Sequence, residues 1–150
     1  MTSNPESRPE ESRPEWEGLL RALLDTLQVH LPAEERAMLL RAIGAQIAAL
    51  SPIPPEETLV GLEARMNEWL ARSRWGSVSI AVDTNGPALV LTHAGPPMLP
   101  IATDEAGHWM ASVLEGLHAG WIAAQPGAAP EVAAHLVSFG ADAMVLRYGV

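Results

Sequence analysis

The alternation of apolar and polar positions changes period about halfway along the chain. In the first half the period is helical. Trp16, Leu19, Leu20, Leu23, Leu24 and Leu27 recur at i, i+3, i+4, i+7, i+8 and i+11, predicting a helix over Glu15–Val29 with a wide apolar stripe. Pro32, followed by Glu34 and Glu35, opens a second helix, because proline costs nothing in a first turn and the helix dipole favours carboxylates there. Its predicted apolar face is Leu39, Leu40, Ile43, Ile47 and Leu50, and Ser51-Pro52-Ile53-Pro54-Pro55 stops it. A third helix is expected from Glu56 to about Arg74, with Leu59, Leu62, Met66, Trp69 and Leu70 inward. Its Arg65, Arg72 and Arg74 complement the negative helix end.

From Ser77 the period falls to two. Val78, Ile80 and Val82 alternate with Ser77, Ser79 and Ala81, as in a half-buried strand. Asn85-Gly86 signals a type I′ hairpin, a turn that needs positive φ at both central residues. Closing there pairs Val82 with Leu89, Ile80 with Leu91 and Val78 with His93. The prolines of Gly95–Pro100 forbid ladder bonds and make that stretch a connector. Thr103 or Asp104 is expected to cap a fourth helix reaching Gln125, with Trp109, Val113, Leu117 and Trp121 along one side. Val132–Phe139 and Ala143–Tyr148 read as a last hairpin around Gly140-Ala141-Asp142. The prediction is an α+β fold: N-terminal helices, then hairpin, helix, hairpin, with an antiparallel sheet and no internal repeat.

Composition narrows the class. A chain of 150 residues is one domain's worth and buries roughly 68–70% of its unfolded surface, enough for a core without disulfide or metal. Residues 15–150 are assigned to that domain. The leader 1–14, with Pro5, Pro9 and Pro14 among Ser, Glu and Arg, is expected to be disordered in the free chain. It holds no apolar core of a signal peptide, and no apolar run reaches the length of a membrane span, so a cytoplasmic location without membrane insertion is expected. The absence of cysteine excludes a disulfide scaffold and a thiolate site. Net charge is −9 with no lysine, a poor balance for binding nucleic acid or an anionic membrane.

The chemistry-bearing residues point away from catalysis. His108 and His118 lie about 280° apart around one helix, no histidine pair has i, i+4 spacing, and the five histidines read as isolated surface or rim groups. Glu34, Glu35, Glu56, Glu57, Asp104 and Glu105 sit at helix starts, where the dipole accounts for them; Glu115, in mid-helix, reads as a solvated or interface carboxylate. Ser112 and Ser138 lack any activating context, and no nucleophile-elbow, dinucleotide or phosphate-loop motif is present. No catalytic, cofactor or metal residue is assigned. Tryptophan is the odd feature: five of the seven aromatics are Trp. Trp69, Trp109 and Trp121 at helical spacing read as core or contact residues, and Trp16, where leader meets helix, as the best ligand candidate.

The stretch Trp109-Met-Ala-Ser-Val-Leu-Glu-Gly-Leu-His-Ala-Gly-Trp-Ile-Ala-Ala-Gln-Pro-Gly-Ala128 resembles the signature region of the bacterial cellulose synthase operon protein D family. Trp75-Gly-Ser-Val-Ser-Ile80, the order of elements and the chain length are similar to that family too, over residues 35 to 150; the Pro/Glu/Arg leader departs from it. The resemblance implies a non-catalytic accessory component of bacterial cellulose biosynthesis. It implies a homo-octamer, a tetramer of dimers, whose internal passageways take nascent β-1,4-glucan chains, working with other cellulose synthase subunits and a proline-rich cellulose-complementing partner. In that family N-terminal segments contribute to the passageways, which puts Arg8, Arg13 and Trp16 forward as glucan-passage candidates. From the residues alone two other classes stay open: a small-molecule module loosely resembling the vinyl-reductase-like ligand-binding proteins, and a glycosidase using Glu115.

Overall fold

A computed structural model describes residues 14–129 and 132–149. The leader, apart from Pro14, lies outside the described residues, and Arg8 and Arg13 with it. Helices α1 (Glu17–His30), α2 (Ala33–Leu50) and α3 (Leu59–Ser73) precede strands β1 (Ser77–Val82) and β2 (Ala88–Ala94); helix α4 (Trp109–Ala123) precedes β3 (Ala134–Phe139) and β4 (Ala143–Gly149). The four strands form one antiparallel sheet in the order β1-β2-β4-β3, the α+β arrangement expected.

Helix α4 is the spine. It is enclosed almost all round: Met110, Val113, Leu114, Leu117, Trp121 and Ile122 are buried, and so are Glu115 and His118 between them. Helix α2 covers one side, and the sheet, with Leu91, Met144, Leu146 and Tyr148 facing inward, lies against the other. Its start is later than predicted. Asp104 serves from upstream, its carboxylate accepting from the Trp109 N–H at 2.9 Å, while residues 101–104 close a small bridge of their own.

The α2–α4 contact corrects the predicted face of α2. The inward residues are Leu40, Gly44 and Ala48, whereas Leu39, Ile43 and Leu50 are exposed and Ile47 is half-buried. Backbones meet directly here. A Cβ on Gly44 would stand 1.9 Å from the Val113 carbonyl oxygen, and one on Gly116 would stand 1.9 Å from that of Arg41. One on Gly120 would meet the Ala48 methyl at 2.9 Å. Such proximity is open only to glycine.

The first hairpin has the predicted register, Val78↔His93, Ile80↔Leu91 and Val82↔Leu89. Its turn differs. Neither Asn85 nor Gly86 takes positive φ, so the type I′ turn is not formed. Pro87 has no N–H to extend the ladder, and the hairpin closes one step lower, where the Asp83 N–H donates to the Ala88 carbonyl at 2.9 Å. The Asp83 carboxylate accepts from the Asn85 N–H, an Asx turn that holds the loop.

Two side chains of α3 close the outer edge of β1. The Asn67 amide both donates to the Val78 carbonyl and accepts from the Val78 N–H, each at 2.8 Å. The Glu63 carboxylate accepts from the Ile80 N–H at 2.8 Å. Groups that a neighbouring strand would otherwise use are thus satisfied within the domain.

These contacts predict unequal costs for equal changes. Gly116→Ala or Gly44→Ala must force two backbones apart and is expected to cost about 3 kcal/mol, lowering Tm by roughly 6–12 °C. Gly18→Ala on α1 meets nothing within 4 Å and is expected to be neutral or stabilising by up to about 1 kcal/mol. Thermal melts of the three variants check this.

Candidate functional site

The most conspicuous surface is apolar and uncovered. Only Leu24 of α1 is buried. Trp16 is 65% exposed, Leu19 61% and Leu23 50%, with Leu20 and Val29 also in solvent. Helix α2 adds Met38, Leu39, Ile43 and Leu50. Among the described residues the Arg21–Glu17 pair at 3.0 Å lies along α1. A monomer this size does not leave so many large apolar groups in water without a use for them. Of the three glucan-passage candidates, only Trp16 is described: it sits at the N-cap of α1 in helical conformation, with no side-chain cap bond. Arg8 and Arg13 fall outside the described residues.

Trp69, Trp109 and Trp121 pack in or against the core, as their helical spacing predicts, and Trp75, to which the spacing assigns no role, is half-buried beside them. Trp121 is buried, and its indole N–H donates to the Ser51 carbonyl at 2.9 Å. Trp69 stands edge-to-face with both Trp75 and Trp121, ring centres 5.3 Å apart in each pair. The Trp109 indole donates to the Leu99 carbonyl at 2.8 Å.

Two histidines are neither isolated nor on the rim, which corrects the sequence reading. His93 and His118 are wholly buried, with His93 Nδ1 2.8 Å from His118 Nε2 and His93 Nε2 2.6 Å from the Trp75 carbonyl oxygen. A carbonyl only accepts, so His93 carries its proton on Nε2, and His118 must donate from Nε2 to the bare His93 Nδ1. Among the described residues His118 Nδ1 is left without a partner. Burial of both rings favours this neutral pair, with one proton on each. Burial holds the His93 ring below the ordinary histidine value, against the opposing hydrogen bond to Trp75. Burial, and the facing His93, push His118 down to about 3. Spacing along one helix misses this pair because its members lie on β2 and α4. The predicted register did carry a signal, since it placed His93 on the same face as Leu91.

Of the two readings of Glu115, solvated or interface, burial overturns the solvated one. The side chain is buried at the α2–α4 crossing, with Arg41 Nη1 at 4.0 Å. Among the described residues no cluster of three or more His, Asp or Glu side chains is placed to hold a metal. His108 remains exposed, beside Asp104 at 3.3 Å and against the Phe139 ring.

The buried pair predicts a pH dependence of stability. Histidine in the unfolded chain titrates near 6.5, so below that pH the unfolded state binds protons that the folded state refuses. Stability is complete above about pH 6.5 and is lost as pH falls toward 3. Chemical denaturation is expected to read about 2 kcal/mol less at pH 5 than at pH 7 from His118, and His118→Gln to flatten that slope.

Comparison with known proteins places these features in a family. The family model for the D subunit of cellulose synthase matches residues 2–149. The match starts well before residue 35, so it takes in the leader that the resemblance carried by the motifs leaves out. A cellulose synthase operon protein D from Komagataeibacter xylinus is 33% identical over 117 residues, covering 78% of this chain and 75% of that protein. A protein of the same name from Komagataeibacter sucrofermentans gives the same figures. Another from Komagataeibacter xylinus is 30% identical over 118 residues, 79% of this chain and 76% of its own. With nearly its whole length matched by the family model, and the Gly116–Gly120 seam lying inside the signature stretch, the chain belongs to the family of cellulose synthase D subunits.

Proposed function

We propose that this chain is a non-catalytic accessory component of bacterial cellulose synthesis. It assembles as a homo-octameric ring of four dimers and guides nascent β-1,4-glucan chains, arranging synthase complexes so that separate chains crystallise in order. The observation that carries the reading, beside family membership, is the uncovered apolar face of α1 and α2. Contacts between copies bury such a face at no cost to the fold, since none of these side chains supports the core of the single chain. A guide for a neutral polymer needs no acid–base pair, metal or nucleophile, and its contacts must be weak enough for the chain to slide.

The leader, with Arg8, Arg13 and the exposed Trp16 at its root, is assigned to the passageways. Partners are other cellulose synthase subunits and a proline-rich cellulose-complementing protein, on the cytoplasmic side of the membrane. Among the described residues no helix is long and apolar enough to cross a membrane, which fits a protein that docks on the synthase rather than inserting beside it.

Light scattering of the purified protein tests the ring: eight copies of 16.0 kDa give a species near 128 kDa, and a monomer or lone dimer removes the passageway. Leu19→Glu with Leu23→Glu is expected to collapse that mass while changing the stability of the single chain by no more than about 0.5 kcal/mol per site. Deleting residues 1–14 is expected to leave the mass intact and disturb cellulose ribbon order; unchanged ribbons deny the leader its role.

A further inference from the structure

A cleft of about 600 Å³ opens between α3 and the proline segment that joins it to α2. Arg65, Glu68, Trp69 and Arg72 of α3 line one side, and Ser51–Pro54 the other. Its walls are held from behind. The Trp121 indole fastens the Ser51 carbonyl, and the Gln125 side-chain carbonyl accepts from the Glu56 N–H at 2.9 Å while its amide reaches the Pro54 carbonyl at 3.4 Å. Trp69 is wedged by the edges of two other indoles. A half-buried tryptophan in a preset cleft gives up little freedom when something lands on it.

The polar groups select the chemistry. Arg65 is spent: it donates to Glu56 at 2.9 Å and to Glu68, so its charge is answered twice. Arg72 makes no hydrogen bond or ion pair among the described residues. Two guanidiniums and one carboxylate line the cleft, and Glu56, paired with Arg65 from outside the lining, balances the second guanidinium in a chain of net −9. An anion would meet Glu68 beside the one open cation, and a proline-rich peptide would leave Glu68 and Arg72 with few groups to bind. A pyranose fits both requirements. Its axial C–H face packs on an indole, and each equatorial hydroxyl both donates, as Glu68 needs, and accepts, as Arg72 needs.

We propose that this cleft is a saccharide subsite taking a short stretch of β-1,4-glucan, with Trp69 as the platform and Arg72 and Glu68 binding hydroxyls. The glucan identity rests on the function proposed above; the saccharide chemistry rests on the cleft alone.

Calorimetric titration of the full-length protein with cellohexaose tests it. Binding at a Kd on the order of 1 mM is expected, a strength that permits sliding. Arg72→Ala removes a side chain with no partner among the described residues and Trp69→Phe keeps a ring in the indole cluster, so circular dichroism and native mass are expected to stay as in the parent. Affinity is expected to fall about tenfold in the first and at least about threefold in the second, and to hold in Val60→Ala, an exposed α3 position outside the cleft. Affinity unchanged in both cleft variants, or no binding by the parent, overturns the subsite. Equal affinity for α-linked maltohexaose overturns the β-glucan assignment, and a proline-rich peptide binding in an Arg72-dependent way where cellohexaose does not overturns the saccharide chemistry. Arg72-dependent binding by a protein that never reaches octamer mass supports the subsite and rejects the ring, so the two readings fail separately.

Discussion

The approach of α2 to α4, backbone against backbone, is the constraint on which the remaining structure depends. Gly44 abuts the Val113 carbonyl and Gly116 that of Arg41, and Ala48 sits over Gly120. No side chain stands between the helices at these points, so α4 has room to turn its larger residues toward the sheet. Leu114, Leu117 and Trp121 then fill the domain, and the indole of Trp121 reaches far enough to hold the proline segment after α2. Because a seam of glycines and alanine gains little from the hydrophobic effect, its stability lies in close dispersion contacts over many atoms. That kind of contact tolerates no added methyl.

The same seam explains the outer surface. A helix that turns its smallest residues inward has to turn its bulky ones elsewhere. Leu39, Ile43 and Leu50 are outside for that reason, continuing the apolar character of Trp16, Leu19 and Leu23 on α1. Core geometry and surface hydrophobicity are two faces of one choice in α2. The exposed apolar surface is built into the way the domain closes.

Much of this is legible in the chain, and the failures have physical causes. The β1–β2 register follows from alternation and turn position alone, and survives the wrong turn type because the loop centred on Asn85-Gly86 has the same symmetry whether it holds two residues or more. The face of α2 is misread when periodicity is judged by large apolar residues, whereas the informative spacing is small: Gly44 and Ala48 four apart, answered by Gly116 and Gly120. The histidine pair is hidden from any reading along single elements, because it forms across two of them. Trp69 is recognisable as inward-facing, and Arg65 and Arg72 as helix-end cations, but their joint position on one side of a cleft depends on where the proline segment is tied. The leader's role is not read from its composition at all.

Asn67 and Glu63 leave the sheet with unlike margins. At β1 every strand-pairing group they reach is already engaged, while among the described residues no side chain caps the backbone of β3, which carries an irregularity between Leu136 and Ser138. A sheet with two open margins can add copies without end. One with a single open margin can add only one neighbour, margin to like margin, across a two-fold axis. β-Pairing between copies through the β3 margin therefore stops at two, and the stretch of β1 that Asn67 and Glu63 engage offers no second margin to extend it into a fibre.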